Sequence, residues 1–375
     1  MNKYKYLNSM QAVSVNLKNK SKIDSNFIEI KDVKIPKPNK NEILFKTLAC
    51  GICSTDIEYL INHKNLKKDY KYFSGSPGKK YLGHEIIGKA VAVGEKLNKN
   101  IIGKNFIIAD INICKSFNIK PECENCRKKN GIHCLKKNIR KFTNNAYAGY
   151  SDYFIRSYYQ SIKIHKKINP INAIFCEPLA SAINCSKFYD NNKILICGLG
   201  TISTLFYRVL LLKKKKKKNI FLIVKNENQK KQAVLMGFKN IFLENKISKI
   251  FHNFERLFYF SGNININEIM LRNLKPLSKI LLFGHLTKID LDPKILIKKQ
   301  IALEGIHGYS STKKNGRFIS DIEMAIKYIE KNNIYLKDLI HSKNKLKDAK
   351  KTLEKICKDV KLGKKETVFR SILLK

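Results

Sequence analysis

The chain has 375 residues, with 74 Lys and Arg against 30 Asp and Glu, a formal charge of +44. Such a charge ordinarily points to nucleic acid or an anionic membrane. Here Lys is spread along the whole chain with abundant Asn and Ile, Trp is absent, and there are only 18 Gly and 8 Pro, the signature of an A/T-rich coding sequence rather than of a specific nucleic-acid partner. A hydrophobic fraction of 43% supports two or three buried cores.

In chain order, Met1 to Tyr6 carries no apolar signal core, and no apolar stretch approaches membrane-spanning length. Ten cysteines then fit metal binding in a cytoplasmic protein better than disulfides. Phe27 to Ile30 and Glu42 to Phe45, on either side of the turn-prone Pro36-Lys37-Pro38, read as strands, as does Glu85 to Val93. Residues from about 110 to 145 are polar, Cys-rich and aperiodic, which suggests a lobe organised by metal. After Pro170 the pattern alternates. Asn172 to Phe188 reads as helix, Lys193 to Cys197 as a buried strand, Thr201 to Leu212 as helix and Ile220 to Val224 as strand. Another helix closes at Ala233 to Gly237, and Leu257 to Phe260, Ile280 to Phe283 and Ile301 to Glu304 are further strands. This alternation predicts a doubly wound parallel sheet. Lys213 to Lys218 reads as a solvated loop joining helix to strand; no aromatic residue interleaves with it, so base stacking is not indicated. In the tail, Ser320 and Glu323 form a capping box ahead of Ile322, Ala325, Ile326 and Ile329, and Ala349, Leu353, Ile356 and Cys357 share a second helix face. Cys50, Cys176, Cys185, Cys197 and Cys357 lie in apolar stretches and read as core.

Several motifs carry chemistry. Cys123-Glu-Asn-Cys126 followed by Cys134 can grip one metal from a tight turn, with Cys114 as the fourth thiolate across a long loop, or His133 instead. Cys53, His84, Glu85 and Glu177 supply the mixed soft and borderline ligands that suit a catalytic Zn²⁺. Taken singly, each is equally readable as a core cysteine, a satisfied histidine or a paired glutamate. Gly198-Leu199-Gly200 follows a strand and opens a helix, the setting of a dinucleotide turn, although an ordinary tight turn has the same form. Ser203 replaces the third glycine. The acidic residue expected at the end of the next strand is absent: Val224 stands there, followed by Lys225, which leaves room for the 2′-phosphate of NADP or reflects drift.

Together, Gly51-Ile-Cys-Ser-Thr-Asp56, Gly83-His-Glu-Ile-Ile-Gly88, the cysteine lobe, Glu177-Pro-Leu-Ala180 and the Gly198 turn resemble the zinc-containing medium-chain dehydrogenases/reductases, the alcohol and polyol dehydrogenase superfamily, over roughly residues 25 to 370. The Glu177 motif looks most like the sorbitol and threonine dehydrogenase branch. The resemblance implies an α/β fold: a GroES-like β-rich catalytic domain from residues 1–187 and 312–375, with a zinc lobe at about 110–140, and a Rossmann doubly wound parallel sheet at 188–311. It implies Cys53, His84, Glu85 and Glu177 at a catalytic zinc, Cys114, Cys123, Cys126 and Cys134 at a structural one, and NAD or NADP on Gly198, Gly200, Ser203, Val224 and Lys225. Thr55 occupies the proton-relay position, Asp56 stands behind the metal, and Glu58 replaces a histidine that family members often carry. The implied reaction is hydride transfer between NAD(P) and a secondary alcohol or ketone of a polyol, sugar or amino alcohol, by a homo-dimer or homo-tetramer. The competing expectations are a carbonyl reductase of a biosynthetic pathway, with identical sites, and a non-enzymatic polyanion-binding relative. Tyr70, Tyr72 and Phe73 are candidates to border the substrate pocket.

Overall fold

The computed structural model describes residues 8–15, 28–61, 82–109, 111, 113–136, 147–249, 253–260, 264, 266–284, 291–362 and 370–375. Tyr70, Tyr72 and Phe73 lie outside them. The chain divides into two units. One takes in the described residues of Met1–Glu177, Ser310–Lys365 and Arg370–Lys375; the other takes in the described residues of Pro178–Tyr309. Among the described residues, no helix is long and apolar enough to cross a membrane.

The first unit opens with an antiparallel pair, β1 (Ser9–Val15) and β2 (Ile28–Lys34). Its main sheet is built on β3 (Glu42–Ile52), which runs into α1 (Ser54–Ile61), and on β4 (Glu85–Val93), β5 (Asn105–Ile108), β6 (Tyr153–Ser157) and β7 (Ser161–Lys163). The short α2 (Glu124–Arg127) lies in the cysteine lobe, and α3 (Pro170–Ala173) leads to α4 (Cys176–Cys185). The helix expected over Asn172 to Phe188 is therefore divided, with α3 started by the Asn169 side chain accepting from Ile171 N–H and by Pro170 at its first turn.

The second unit is a six-stranded parallel sheet. Its strands are β8 (Ile194–Cys197), β9 (Ile220–Val224), β10 (Asn240–Leu243), β11 (Phe254–Tyr259), β12 (Leu274–Phe283) and β13 (Ala302–Ile306). Between them run α5 (Thr201–Leu212), α6 (Glu227–Leu235), α7 (Glu268–Arg272) and α8 (Pro293–Lys299). The spatial order β10-β9-β8-β11-β12-β13 is the doubly wound arrangement in which the strand order reverses beside the first strand of the unit. All four residues of β8 and all five of β9 are buried, as strands covered on both faces require.

The chain then returns to the first unit. A hairpin, β14 (Ser311–Lys314) and β15 (Arg317–Ser320), leads into α9 (Asp321–Glu330), where Ser320 and Glu323 form the capping box read from sequence. After β16 (Ile340–Lys345) and α10 (Ala349–Lys361), the last strand, β17 (Arg370–Leu374), pairs with β3. The tail is thus only partly helical. Ala349, Leu353 and Cys357 of α10 are buried in the same core as Leu60 of α1, Phe45 and Phe154. Phe45 stacks on Phe154 at 5.3 Å and meets Phe106 edge-on at 5.5 Å. A Cβ at Gly88 would fall 2.8 Å from Phe45, so this cluster needs glycine there.

The register positions the chemistry. β3 lies between β17 and β4, with Gly51 opposite Glu85 and Ile52 opposite Ser371. Cys53, just past β3, His84 and Glu85 at the start of β4, and Arg370 at the start of β17 therefore gather at one end of three adjacent strands.

Candidate metal centres and nucleotide turn

Ligand atoms of Cys53, His84 and Glu85 lie within 4.8 Å of one another. Glu85 reaches this point across Gly51, where a Cβ would sit 2.2 Å from its Oε2. Its carboxylate is buried. Oε1 accepts from the Arg370 guanidinium, while Oε2 has no hydrogen-bond partner. A buried carboxylate oxygen left in this way is costly unless a cation completes it. Arg370 Nη2 is also 3.6 Å from Cys53 Sγ.

Asp56, buried in the first turn of α1, organises the trio from behind. Its Oδ1 is 3.4 Å from His84 Nδ1 and accepts from Gly83 N–H at 3.5 Å; its Oδ2 accepts from Cys53 N–H at 3.2 Å and from the Tyr150 hydroxyl at 2.8 Å. Burial alone would raise the Asp56 pKa, but the charge of His84 and these hydrogen bonds outweigh it and hold the carboxyl below its ordinary value. When the ring is neutral, Nδ1–H directed at Asp56 would leave the lone pair on Nε2, the tautomer that a metal ligand needs.

Glu177 is not among the three clustered ligands, but it shares their electrostatics. Burial first, then the Glu85 charge, raise its pKa to about 7. Thr55 Oγ1 is 3.5 Å from Cys53 Sγ, and burial raises the pKa of the half-buried Glu58 carboxyl. Arg370 is the functional residue that sequence reasoning missed: alone in a tail of Lys and Leu it has no motif, and only the pairing of β17 with β3 brings it to Glu85.

The second cluster is Cys114, Cys123, Cys126 and Cys134, all buried and also within 4.8 Å of one another. Cys114 Sγ is 3.7 Å from Cys134 Sγ and Cys123 Sγ 3.8 Å from it. Backbone N–H groups point at sulfur: Cys114 N–H to Cys126 Sγ at 3.4 Å and Cys123 N–H to Cys114 Sγ at 3.5 Å. Burial opposes ionisation of Cys123, yet N–H donors from Cys126 and Leu135, with neighbouring thiols, bring it down to about 6. The long loop after Cys114 folds back through Asn118 in the left-handed region, φ 53°, and Ile119 N–H to Cys114 O. His133 is exposed and outside the cluster, so the displaced Cys114 takes the fourth place.

In the second unit, β8 is followed by Gly198, with φ 97°, and Gly200 precedes α5 in fully extended backbone. A Cβ at Gly200 would meet nothing within 4 Å, so the space before the helix N-terminus is open to a ligand. Ser203 does not obstruct it: its Oγ accepts from Gly200 N–H at 2.8 Å and closes the turn. Val224 is buried at the end of β9, and Lys225 beside it is exposed, its N–H bound to Gln229 Oε1 at 3.0 Å.

Residues 39–166 match the alcohol dehydrogenase GroES-like domain. Over 180 residues the chain is 26% identical to L-threonine 3-dehydrogenase of Stenotrophomonas maltophilia, a match covering 48% of this chain and 49% of that one. It is 25% identical over 181 residues to the enzyme of the same name from Pyrococcus horikoshii, covering 47% of each. The chain thus spans about half the length of the curated relatives it matches. Among solved structures, acetophenone reductase from Geotrichum candidum in complex with NAD superimposes with a TM-score of 0.72 at 18% identity, covering 99% of this chain and 98% of that one. For 2R,3R-butanediol dehydrogenase from Bacillus subtilis the TM-score is 0.71 at 16% identity, covering 98% and 100%. Over residues 39–166 the chain carries the alcohol dehydrogenase GroES-like domain, and its fold is that of these dehydrogenase structures. In this dehydrogenase fold the first unit carries both cysteine-containing clusters and the second carries the nucleotide turn.

Proposed function

We propose that this chain is a zinc-dependent oxidoreductase that transfers a hydride between NAD(P) and the secondary alcohol or ketone of a polyol, sugar or amino alcohol. The observation that carries the proposal is the convergence of Cys53, His84 and Glu85 ligand atoms, with Glu85 Oε2 left without a partner. One thiolate, one imidazole and one carboxylate are a donor set for Zn²⁺ with an open position. The names of the relatives, an amino-alcohol and a vicinal-diol dehydrogenase among them, favour this substrate class.

Zn²⁺ held by the trio would supply Lewis acidity toward the substrate oxygen, and bound NAD(P) would supply or take up the hydride. The chain's own residues supply the rest. Asp56 keeps the His84 ring in the tautomer that can ligate. Arg370 balances the buried charge of Glu85. Thr55, whose hydroxyl lies beside Cys53, receives the substrate hydroxyl proton, and Glu58 is the next acceptor toward solvent. Glu177, its pKa raised to about 7, would approach the metal directly or through water. Cys114, Cys123, Cys126 and Cys134 would hold a second, structural zinc. Gly198, Gly200 and Ser203 would cradle the pyrophosphate, and Val224 with Lys225 would favour NADP over NAD or accept both. The active form is proposed to be a cytoplasmic homo-dimer or homo-tetramer.

Metal analysis combined with turnover tests the reading. The purified chain is expected to hold zinc, and Cys53→Ser to abolish nicotinamide-linked oxidation of a panel of secondary alcohols while leaving the fold. Full activity in zinc-free protein would sink it. Val224→Asp is expected to shift preference toward NAD by about tenfold or more, read as the ratio of kcat/KM for the two cofactors. Strict NAD specificity of the native chain would refute the Val224 and Lys225 assignment.

A further inference from the structure

We infer that Tyr150 is a positioning residue for the Cys53–His84–Glu85 site, acting through Asp56; the inference rests on the proposed metal at that trio. Asp56 divides its two oxygens. Oδ1 serves His84 and Gly83, while Oδ2 serves Cys53 N–H and the Tyr150 hydroxyl. The bond at 2.8 Å from Tyr150 is the shortest of the four. It opposes rotation of the carboxylate about its terminal torsion, and that rotation is what would carry Oδ1 away from the histidine. Torsions of this kind are broad and are restrained by hydrogen bonds rather than by intrinsic barriers.

The tyrosine is itself held in three ways. Its N–H donates to Leu82 O at 3.2 Å, Gly149 N–H donates to Gly83 O at 3.0 Å, and its own carbonyl accepts from Val13 N–H at 2.9 Å. Its ring lies on Gly83, where a Cβ would come within 2.7 Å of the ring and where φ is 93°. Gly83 immediately precedes His84. Tyr150 therefore fixes the residue before the metal-ligating histidine with its ring and backbone, and the carboxylate behind that histidine with its hydroxyl. The side chain is 1% exposed, and Asp56 is 4% exposed. In this depth the hydroxyl has Asp56 Oδ2 at 2.8 Å and Gly51 O at 3.5 Å as acceptors, so removing it leaves the carboxylate short of a donor in a low-dielectric environment. Groups that orient a ligating histidine commonly change metal affinity by about 10- to 100-fold.

The test is release of metal from zinc-loaded full chain to a chromophoric chelator in excess. Two phases are expected, one from the trio and one from the four-cysteine cluster, and Cys53→Ser identifies the first by removing it. Tyr150→Phe, which keeps the ring on Gly83, is expected to speed the trio phase about tenfold and leave the cysteine phase and the unfolding midpoint unchanged. In an Asp56→Asn background the same substitution is expected to add less than about twofold, because the hydroxyl acts through that carboxylate. The assignment is overturned if Tyr150→Phe leaves the trio phase unchanged, speeds both phases alike, keeps its full effect beside Asn at 56, or does not fold. If Cys53→Ser removes no phase, the metal reading itself fails, and Tyr150 falls with it; a null result at Tyr150 alone leaves that reading standing.

Discussion

The two cysteine-containing clusters of the first unit are built on opposite plans. The lobe takes four thiols from Cys114 to Cys134, all buried and served by local N–H groups. The trio takes one group each from the end of β3, the turn before β4 and the start of β4, and is backed by Asp56, Tyr150 and Arg370 from three further positions. A closed set of like ligands has no place for a substrate, and metal binding there is folding energy. A mixed set with a partly exposed histidine leaves a position open and needs distant residues to keep its shape. On the proposed reading, the difference separates a stabilising site from a reactive one within one unit.

The sharpest way to break that comparison is to make the same substitution in both places. Cys53→Ser is expected to lower turnover by about 10³-fold or more with little change in unfolding midpoint, as loss of several kcal/mol of Lewis-acid assistance requires. Cys126→Ser is expected to do the reverse: the midpoint falls by about 5–10 °C, while kcat per folded molecule is retained. Turnover assays and thermal scans on the two variants check this, and equal losses of both kinds would erase the distinction.

Next in size is Arg370→Ala in metal-stripped protein. It leaves the Glu85 carboxylate buried without its cation, and the expected cost is about 3–5 kcal/mol in a urea titration. Loading the metal should recover part of this, because the metal answers the same charge; an identical cost with and without metal would place Glu85 outside the site.

The smallest effect is in the pH dependence of the metal-free chain. The Glu177 pKa is raised to about 7, so between the ordinary carboxylate range and pH 7 the folded state holds a proton that the unfolded state has lost. Its contribution to stability is complete below that range and declines as pH rises through about 7. Glu177→Gln should flatten this decline in unfolding midpoint against pH. The lobe contributes with the opposite sign: Cys123, lowered to about 6, adds stability as pH rises through that value and loses it as pH falls.

Much of this was legible in the sequence because it is local. Alternating apolar strands and helices predicted β8, α5 and β9, since strand and helix periods are written into consecutive residues. The Ser320–Glu323 box works across a single turn. The candidate ligands of the lobe and of the trio could be named because cysteines three residues apart, and histidine beside glutamate, are informative in short windows. Less legible was what lies between distant segments. Nothing in Asn145-Ala-Tyr-Ala-Gly-Tyr150 marks a hydroxyl bound for Asp56, and nothing in Arg370-Ser-Ile-Leu-Leu374 marks a partner for Glu85. Glu177, which sequence reasoning placed with the ligands, is kept in their electrostatic field but outside the clustered trio.

Residue order by itself therefore determined the kinds of chemistry present: soft and borderline metal ligands, a glycine turn between strand and helix, and a β-rich segment followed by strand–helix alternation. Only the tertiary structure decided which groups meet. Strand register set β17 and β4 on either side of β3, burial stripped water from Glu85 and Asp56, and those two facts selected Arg370 and Tyr150 as their partners. The physical reason is range. Propensity, capping and turn formation act over a few residues, whereas satisfying a buried charge depends on whichever chain segment the fold delivers to it.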